Sequence, residues 1–434
     1  MMERYSEYKN SGVYYIPQIP SEWNVLKGKI LFKQEKRPVN KEDEIVTCFR
    51  DGEVTLRKNR RLEGFTNSLK EIGYQGIRKG DLVIHNMDAF AGAIGVSDSD
   101  GKGTPVYAVC TPIREDANQF YYCYLLRFLA KTGFIQSLAK GIRERSTDFR
   151  YGDFKELLLP VPSRAEQDAI VRYLDFATSE IDKAIAKQQK MIDLLNERKQ
   201  IIIQNAVTKG LDENVEMKES GVEFVNEIPH NWPTRRLKFS AWIRARLGWK
   251  GLKASEYVEN GYPFLSAFNI ENDHMKWNNL NFINKYRYDE SPEIKLKVGD
   301  LLLVKDGAGI GKCARIDKLP YGESTANGSL AVITSYDMLD YRYLYYFMVS
   351  KSFKDHTELL INGMGVPHFT QGEMKKIVMP VPPQAEQQQI VTYLDGEMEK
   401  FDSAITNCQR QITLLQERKQ IIINEVVTGK VRVS

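Results

Sequence analysis

LPVPSRAEQDAIVRYLDFATSEIDKAIAKQQKMIDLLNERKQIIIQNAVT, residues 159–208, returns without a gap as MPVPPQAEQQQIVTYLDGEMEKFDSAITNCQRQITLLQERKQIIINEVVT, residues 379–428. More than half of the aligned positions are identical. A shorter repeat opens each half of the chain, SGVYYIPQIPSEW from Ser11 and SGVEFVNEIPHNW from Ser220. The protein is therefore one unit of roughly 210–220 residues used twice. Two copies of a long segment, alternating with two other stretches, suit a target that is itself in two parts.

The repeated segment reads as a long helix. Pro160 and Pro162, and Pro380, Pro382 and Pro383 in the second copy, fix an extended entry. No further Pro occurs for more than forty residues in either copy. The helices are expected over about 164–207 and 384–427. In the first, Ile181, Ile185, Gln188, Ile192, Leu195, Lys199, Ile202 and Ala206 fall alternately four and three apart. Phe401, Ile405, Cys408, Ile412, Leu415, Lys419, Ile422 and Val426 repeat that spacing in the second. This is the apolar seam of a coiled coil, interrupted once by Gln or Cys and once by Lys, and such interior polar positions set register. At 1.5 Å per residue each helix is roughly 60 Å long, too long to hide its seam alone. Its own copy is the expected partner, in an antiparallel pair about a pseudo-two-fold axis with the globular segments at opposite ends. Packing of each helix on its own globular segment is the competing reading. The identical block Glu197–Ile203 and Glu417–Ile423 ends in three isoleucines, more than one seam needs. Either a further partner surface or burial against the chain's own globular segment accounts for them.

The repeats divide the chain into residues 1–159, 160–210, 211–379 and 380–434. The two intervening segments read as mixed α/β. Lys79–His85 (KGDLVIH) and Val298–Lys305 (VGDLLLVK) each place a Gly turn before a β-rich run. Aromatic helical stretches follow at Tyr121–Leu129 and Tyr341–Val349, then Gly-containing loops at Gly141–Phe154 and Gly363–Met374. Order is shared and residue identity is low, so a common scaffold carries different surface chemistry.

With 434 residues, 42% of them hydrophobic, the chain can bury real cores. Its net charge is only +4, a weak signal for nucleic acid. Residues 1–155 hold 25 Lys and Arg against 20 Asp and Glu, so the first segment carries a basic surplus. Cys48, Cys110, Cys123, Cys313 and Cys408 have no paired spacing and the histidines are scattered, which argues against a zinc site or a disulfide framework. No apolar core of a signal peptide opens the sequence, and no run approaches the ~20 residues of a membrane span. A reduced, cytoplasmic protein is expected.

Several motifs invite chemistry. DGAGIGK, Asp306–Lys312, looks like a phosphate loop, but Cys313 stands where Ser or Thr is required, and a tight turn after the preceding strand explains its glycines. No methyl-transfer, helicase or nuclease signature is present, so no catalytic residue is expected. Arg57, Lys58, Arg60 and Arg61 form the densest basic cluster, suited to phosphates and guanine edges or to a solvated turn. Arg143 and Arg145 lie in the loop before Asp148, and His368 stands opposite Asp148 in the second half. Lys305 and Lys312 flank the 306–311 turn. Lys250 and Lys253 close a basic stretch that also holds Arg235, Arg236, Arg244, Arg246, Trp242 and Trp249, whose tryptophans read as core. Together the candidate DNA contacts are Arg57, Lys58, Arg60, Arg61, Arg143, Arg145, Lys250, Lys253, Lys305, Lys312 and His368.

The blocks PVPSRAEQDAIVRYLD and PVPPQAEQQQIVTYLD, each followed by a helix ending LLNERKQIII or LLQERKQIII, resemble the specificity subunit of type I restriction-modification systems. The resemblance covers essentially the whole chain. It implies an α+β fold in which two α/β target recognition domains are separated by two long antiparallel coiled-coil helices. It also implies that each domain reads half of an asymmetric, interrupted site in double-stranded DNA. Two methyltransferase subunits and, with them, restriction subunits are the implied partners. S-adenosylmethionine, ATP and Mg are implied on those partners, with no cofactor or metal on this chain. A coiled-coil assembly adaptor without direct DNA reading is the alternative, and a nucleotide-hydrolysing enzyme would rest on Asp306–Lys312 alone.

Overall fold

The structure, a computed structural model, describes residues 3–60, 72–138, 148–246, 252–307, 309–362 and 368–433. Four helices organise it: α1 (Gln119–Lys131), α2 (Arg164–Lys209), α3 (Tyr341–Val349) and α4 (Gln384–Val427). Two compact units result, residues 1–189 with 410–434 and residues 190–409. The fold is mixed α+β.

In the first unit β1 (Phe32–Glu35), β2 (Leu82–His85), β3 (Ile94–Val96) and β4 (Tyr107–Pro112) form an antiparallel sheet in the order β1-β4-β2-β3. Gly80 supplies the positive φ of 91° that turns the chain into β2. Asn118 starts α1 by accepting from the backbone N–H groups of Phe120 and Tyr121. One face of α1, with Tyr121, Tyr122, Leu125, Leu126 and Leu129, is buried on Phe32, Leu82 and Ile84. Each large side chain removed from water contributes about 1.5–3 kcal/mol before entropy is counted. The second unit repeats this order with β5 (Ala241–Arg244), β6 (Asp300–Val304), β7 (Cys313–Arg315) and β8 (Leu330–Ser335), arranged β5-β8-β6-β7. There α3 covers the sheet with Tyr343, Leu344 and Phe347, packed on Leu301, Leu303 and Ile333. A second four-stranded sheet, built from Tyr257–Val258, Tyr262–Leu265, Asn281–Ile283 and Thr325–Ala326, is an addition to this unit.

The repeated helix entries are fastened alike. Leu158–Val161 pairs with Asn24–Lys27, and Val378–Pro380 with Thr234–Arg236, so each Pro-containing entry is a strand end against the segment that follows the short repeat. The Gln of each AEQ is fully buried. Gln167 accepts from the Asn118 N–H at 2.8 Å and donates to Asp116 O and Pro162 O at 2.8 and 2.9 Å. Gln387 accepts from the Asp340 N–H and donates to Met338 O and Pro382 O at 2.8, 3.1 and 2.8 Å. One amide thus ties the start of a long helix to the start of the aromatic helix in each unit.

Both long helices enter each core. In the first unit Ile170, Val171 and Leu174 of α2 share the core with Val426 and Val427 of α4. In the second, Ile203, Ala206 and Val207 of α2 meet Ile390, Val391 and Leu394 of α4. The competing readings of helix packing are therefore both realised in part: each unit takes the first turns of one long helix and the last turns of the other. The pairing is antiparallel. Lys419 reaches Asp182 at 2.6 Å in the first unit, and Lys199 reaches Asp402 at 2.6 Å in the second. Lys199 and Lys419 are the repeated seam lysines, and Asp182 and Asp402 are repeat equivalents, so one register-setting bridge occurs once per unit. These bridges are partly solvated and contribute direction more than energy.

Seam positions alternate with the solvent face. Ile181, Ile192 and Phe401 are buried, while Ile185, Leu195, Ile202, Ile405, Ile412, Leu415 and Ile422 are half-buried. Of the isoleucine triplet, Ile201 is 53% exposed, Ile202 is half-buried on the seam and Ile203 is in the core of the second unit. Ile421 is 56% exposed, whereas Ile422 and Ile423 pack against the core of the first unit. The triplet therefore serves a seam, a domain core and an outward face.

Two expectations change in detail, and the tight turn expected at 306–311 is found. The stretches before the long helices do not end as open loops, because Tyr151–Phe154 and Gln371–Met374 each form one helical turn. Asp153 and Glu373 reach back to the N–H groups of Arg150 and Thr370 and close those turns. Trp242 is 51% exposed rather than in the core, on the outward face of edge strand β5 with the Arg244 guanidinium 4.5 Å from its ring centroid. Trp249 lies outside the described residues. The 306–311 turn leads from β6 into the antiparallel β7, closed by Gly311 N–H to Val304 O at 3.0 Å and Val304 N–H to Lys312 O at 2.9 Å. A phosphate loop would open a helix instead.

The five cysteines are free. Burial pushes the thiols of Cys48, Cys110 and Cys313 up, so they stay protonated and unreactive. Among the described residues no His, Cys, Asp or Glu group is placed to hold a metal ion, and no helix is long and apolar enough to cross a membrane.

Candidate nucleic-acid interface

The central strand of each unit ends at the same backbone junction. In the first unit the residue after β2 is Asn86. Its N–H donates to Val106 O at 2.9 Å, and its carbonyl accepts from the Phe149 N–H at 2.9 Å. In the second unit the residue after β6 is Lys305. Its N–H donates to Ser329 O at 2.9 Å, and its carbonyl accepts from the Phe369 N–H at 2.8 Å. Phe149 and Phe369 are each buried to 3% exposure and anchor the segment that precedes the long helix. One frame thus presents two different side chains at an equivalent sheet edge.

In the first unit this edge borders a cleft of about 1050 Å³, whose lining includes Gln34, Lys36, Tyr74, Asn86, Tyr107 and Arg150. Three cations, Lys36, Arg37 and Arg150, face it with one carboxylate, Asp148. Arg37 is held by the buried Asp81 and Arg150 by Asp148, with Arg150 Nε 2.6 Å from the carboxylate. Lys36 is exposed. The cleft therefore joins one exposed cation, Lys36, and two ion-paired ones to amide and phenol groups in its wall. Burial pushes the Tyr107 phenol up to about 12, so it stays neutral at physiological pH and accepts from the Cys48 N–H at 3.3 Å.

In the second unit Lys305 Nζ lies 2.7 Å from Asp306 Oδ2, and the other oxygen of Asp306 bonds the exposed His368 ring at Nδ1. Lys312 is exposed at the end of the same turn, and Lys253 is exposed elsewhere in the unit. The structure thus gathers Lys305, Lys312 and His368 around one turn. Of the Arg57–Arg61 cluster, Arg57, Lys58 and Arg60 are engaged locally. Arg57 Nε donates to Thr47 Oγ1 at 3.2 Å, Lys58 pairs with Glu44, and Arg60 bridges Asp51 and Glu53 at 2.7 and 2.8 Å beside the Phe49 ring. None of its described members lines the cleft. Arg61, Arg143, Arg145 and Lys250 lie outside the described residues. Arg244 is buried on Asp300 at 2.8 Å, and Arg246 meets Glu290 at 3.2 Å.

Residue-type reasoning passed over Gln34, Asn86 and Arg150, because none belongs to a basic run. The repeat offered a signal. Aligning KGDLVIHN with VGDLLLVK places Asn86 on Lys305, just as Asp148 stands on His368.

Residues 248–416 match the family described as the type I restriction modification DNA specificity domain. Among curated proteins, the MjaVIII specificity subunit of Methanocaldococcus jannaschii is 27% identical over 73% of this chain and 71% of its own length. A putative MjaX specificity subunit from the same organism is 22% identical over 96% of each chain. A chain from a structural study of complex assembly and conformational transition in the type I restriction-modification system superposes with a TM-score of 0.71 at 16% identity, covering 95% of this chain and 99% of that one. The crystal structure of the HsdS subunit from Thermoanaerobacter tengcongensis gives a TM-score of 0.50 at 17% identity, covering 95% and 98%. The second half of the chain thus carries a match to a type I restriction modification DNA specificity domain, and most of the chain is similar to curated specificity subunits.

Proposed function

We propose that this chain reads an asymmetric, bipartite site in double-stranded DNA, one half-site per unit, and carries the methyltransferase subunits that modify it. The observation behind the reading is the shared junction at Asn86 and Lys305, where one backbone frame offers a carboxamide in one unit and an ammonium in the other. Identical frames with unlike side chains imply unlike half-sites. Lys36 and Arg150 in the first unit, and Lys253, Lys305, Lys312 and His368 in the second, would meet phosphates and base edges, the former fixing position and the latter sequence.

The outward rows of the long helices support docking of two methyltransferase subunits, and of restriction subunits through them. Leu194 and Ile201 of α2 are about half exposed, and their repeat equivalents Leu414 and Ile421 of α4 are exposed to the same degree. Two like rows suit two like partners. In this reading S-adenosylmethionine, ATP and Mg come with those partners.

A gel shift of the full chain with mixed-sequence duplex DNA at rising salt tests the reading. If six to ten phosphates are neutralised, affinity should fall by about 10³–10⁵ between 50 and 200 mM salt. Binding indifferent to salt, or none even with the methyltransferase present, would favour the assembly adaptor.

A further inference from the structure

We propose that Asn86 reads an adenine in the half-site of the first unit, and that the residue after the central strand is a specificity-determining position in both units. The inference rests on the reading of the chain as a DNA sequence reader and adds to it the kind of base and the atoms involved.

The backbone of Asn86 is fixed on both sides, by Val106 and by Phe149, and its side chain lines the cleft. Its Oδ1 is shielded from solvent and has no hydrogen-bond partner among the described residues. An amide oxygen in that state is costly, and the cost is relieved when a donor arrives. Rotation of the carboxamide on binding would bring that acceptor, with the amide donor beside it, to a base edge in the groove. In the major groove, adenine presents the matching pair, the N6 amino group and N7. Guanine presents two acceptors there and cytosine a lone donor, so neither satisfies both ends of the amide. The neighbouring exposed Lys36 supplies positive charge for a phosphate backbone. The equivalent Lys305 has only donors to offer, which match guanine O6 and N7. Two half-sites differing at corresponding positions follow from this one exchange of side chain.

The test selects bound duplexes from a randomised pool with the full chain, unsubstituted and carrying Asn86→Ala, Asn86→Asp or Asn86→Lys. Thermal melting of each variant checks folding, and Asn86→Asp is nearly isosteric. We expect the unsubstituted chain to enrich a bipartite site with an adenine at one position that the variants alter. Asn86→Ala should lose roughly ten- to hundredfold discrimination there. Asn86→Lys should move the preference toward guanine and Asn86→Asp toward cytosine. The other half-site and the gap should not change. If all four proteins enrich the same site, or if the altered position is not an adenine, the assignment of Asn86 is overturned while the function stands. If folded variants enrich nothing, Asn86 is not a single-base reader. If the unsubstituted chain enriches no sequence, the functional reading falls and the inference with it.

Discussion

Replacing Ile192 and Ile412 together with Asp is expected to open the helix pair and abolish binding to a complete site. Ile192 is buried to 7% exposure and Ile412 is half-buried. A carboxylate at Ile192 loses about 2–3 kcal/mol of apolar burial and adds the cost of a charge without a partner. A total of about 3–5 kcal/mol at that position is reasonable, with less at Ile412. Circular dichroism melting reads the stability, and a gel shift reads the binding. Leu194→Asp with Leu414→Asp is the matched control. These residues are 50% and 48% exposed on the outward face, so the control should stay within about 0.5 kcal/mol per site. A double seam variant that still reads both half-sites at the same gap would show that the helices do not act as a spacer.

Asp300→Ala should destabilise the second unit by about 3–5 kcal/mol, because it strands a buried cation. Arg244 is 6% exposed and Asp300 fully buried, with Nη2 to Oδ2 at 2.8 Å. Burial lowers the Arg244 pKa, and the adjoining Asp300 carboxylate opposes that shift. Asp300 also accepts from the Lys297 N–H at 2.8 Å and from the Thr334 hydroxyl, and both donors would lose their acceptor. Asp300→Asn keeps some of these bonds and should cost less. The first unit holds a related pair, Arg37 with Asp81, where Arg37 is 27% exposed, so Asp81→Ala should cost less than Asp300→Ala. Urea unfolding of the full chain measures all three. An Asp300→Ala variant as stable as the unsubstituted chain would mean that the pair contributes nothing.

These two expectations come from different sources of information. The seam was legible because its physics is local and periodic. Alternating steps of four and three place Ile181 through Ile202 on one face of a helix, and the prolines before Arg164 and Gln384 mark where that helix starts. The repeat then names the partner of each helix. The Arg244–Asp300 pair was not legible, because 56 residues separate its members and the sheet register that joins them depends on long-range strand pairing. For the same reason Arg57, Lys58 and Arg60 read as a free basic cluster, although Thr47, Glu44, Asp51 and Glu53 engage them. A sequence gives the signs of charges and leaves out which of them are already matched. Asn86 shows the reverse failure. A neutral residue in no motif becomes notable only once the junction after the central strand fixes its backbone beside the cleft.

The most direct test of the central claim, that two unlike sensors read two parts of one site, is a long-read map of methylated adenines in the host genome with and without this chain. The account predicts one motif made of two different half-sites separated by a constant gap, methylated only when the chain is present. A palindromic or uninterrupted motif, or a map that does not change when the chain is removed, would contradict it.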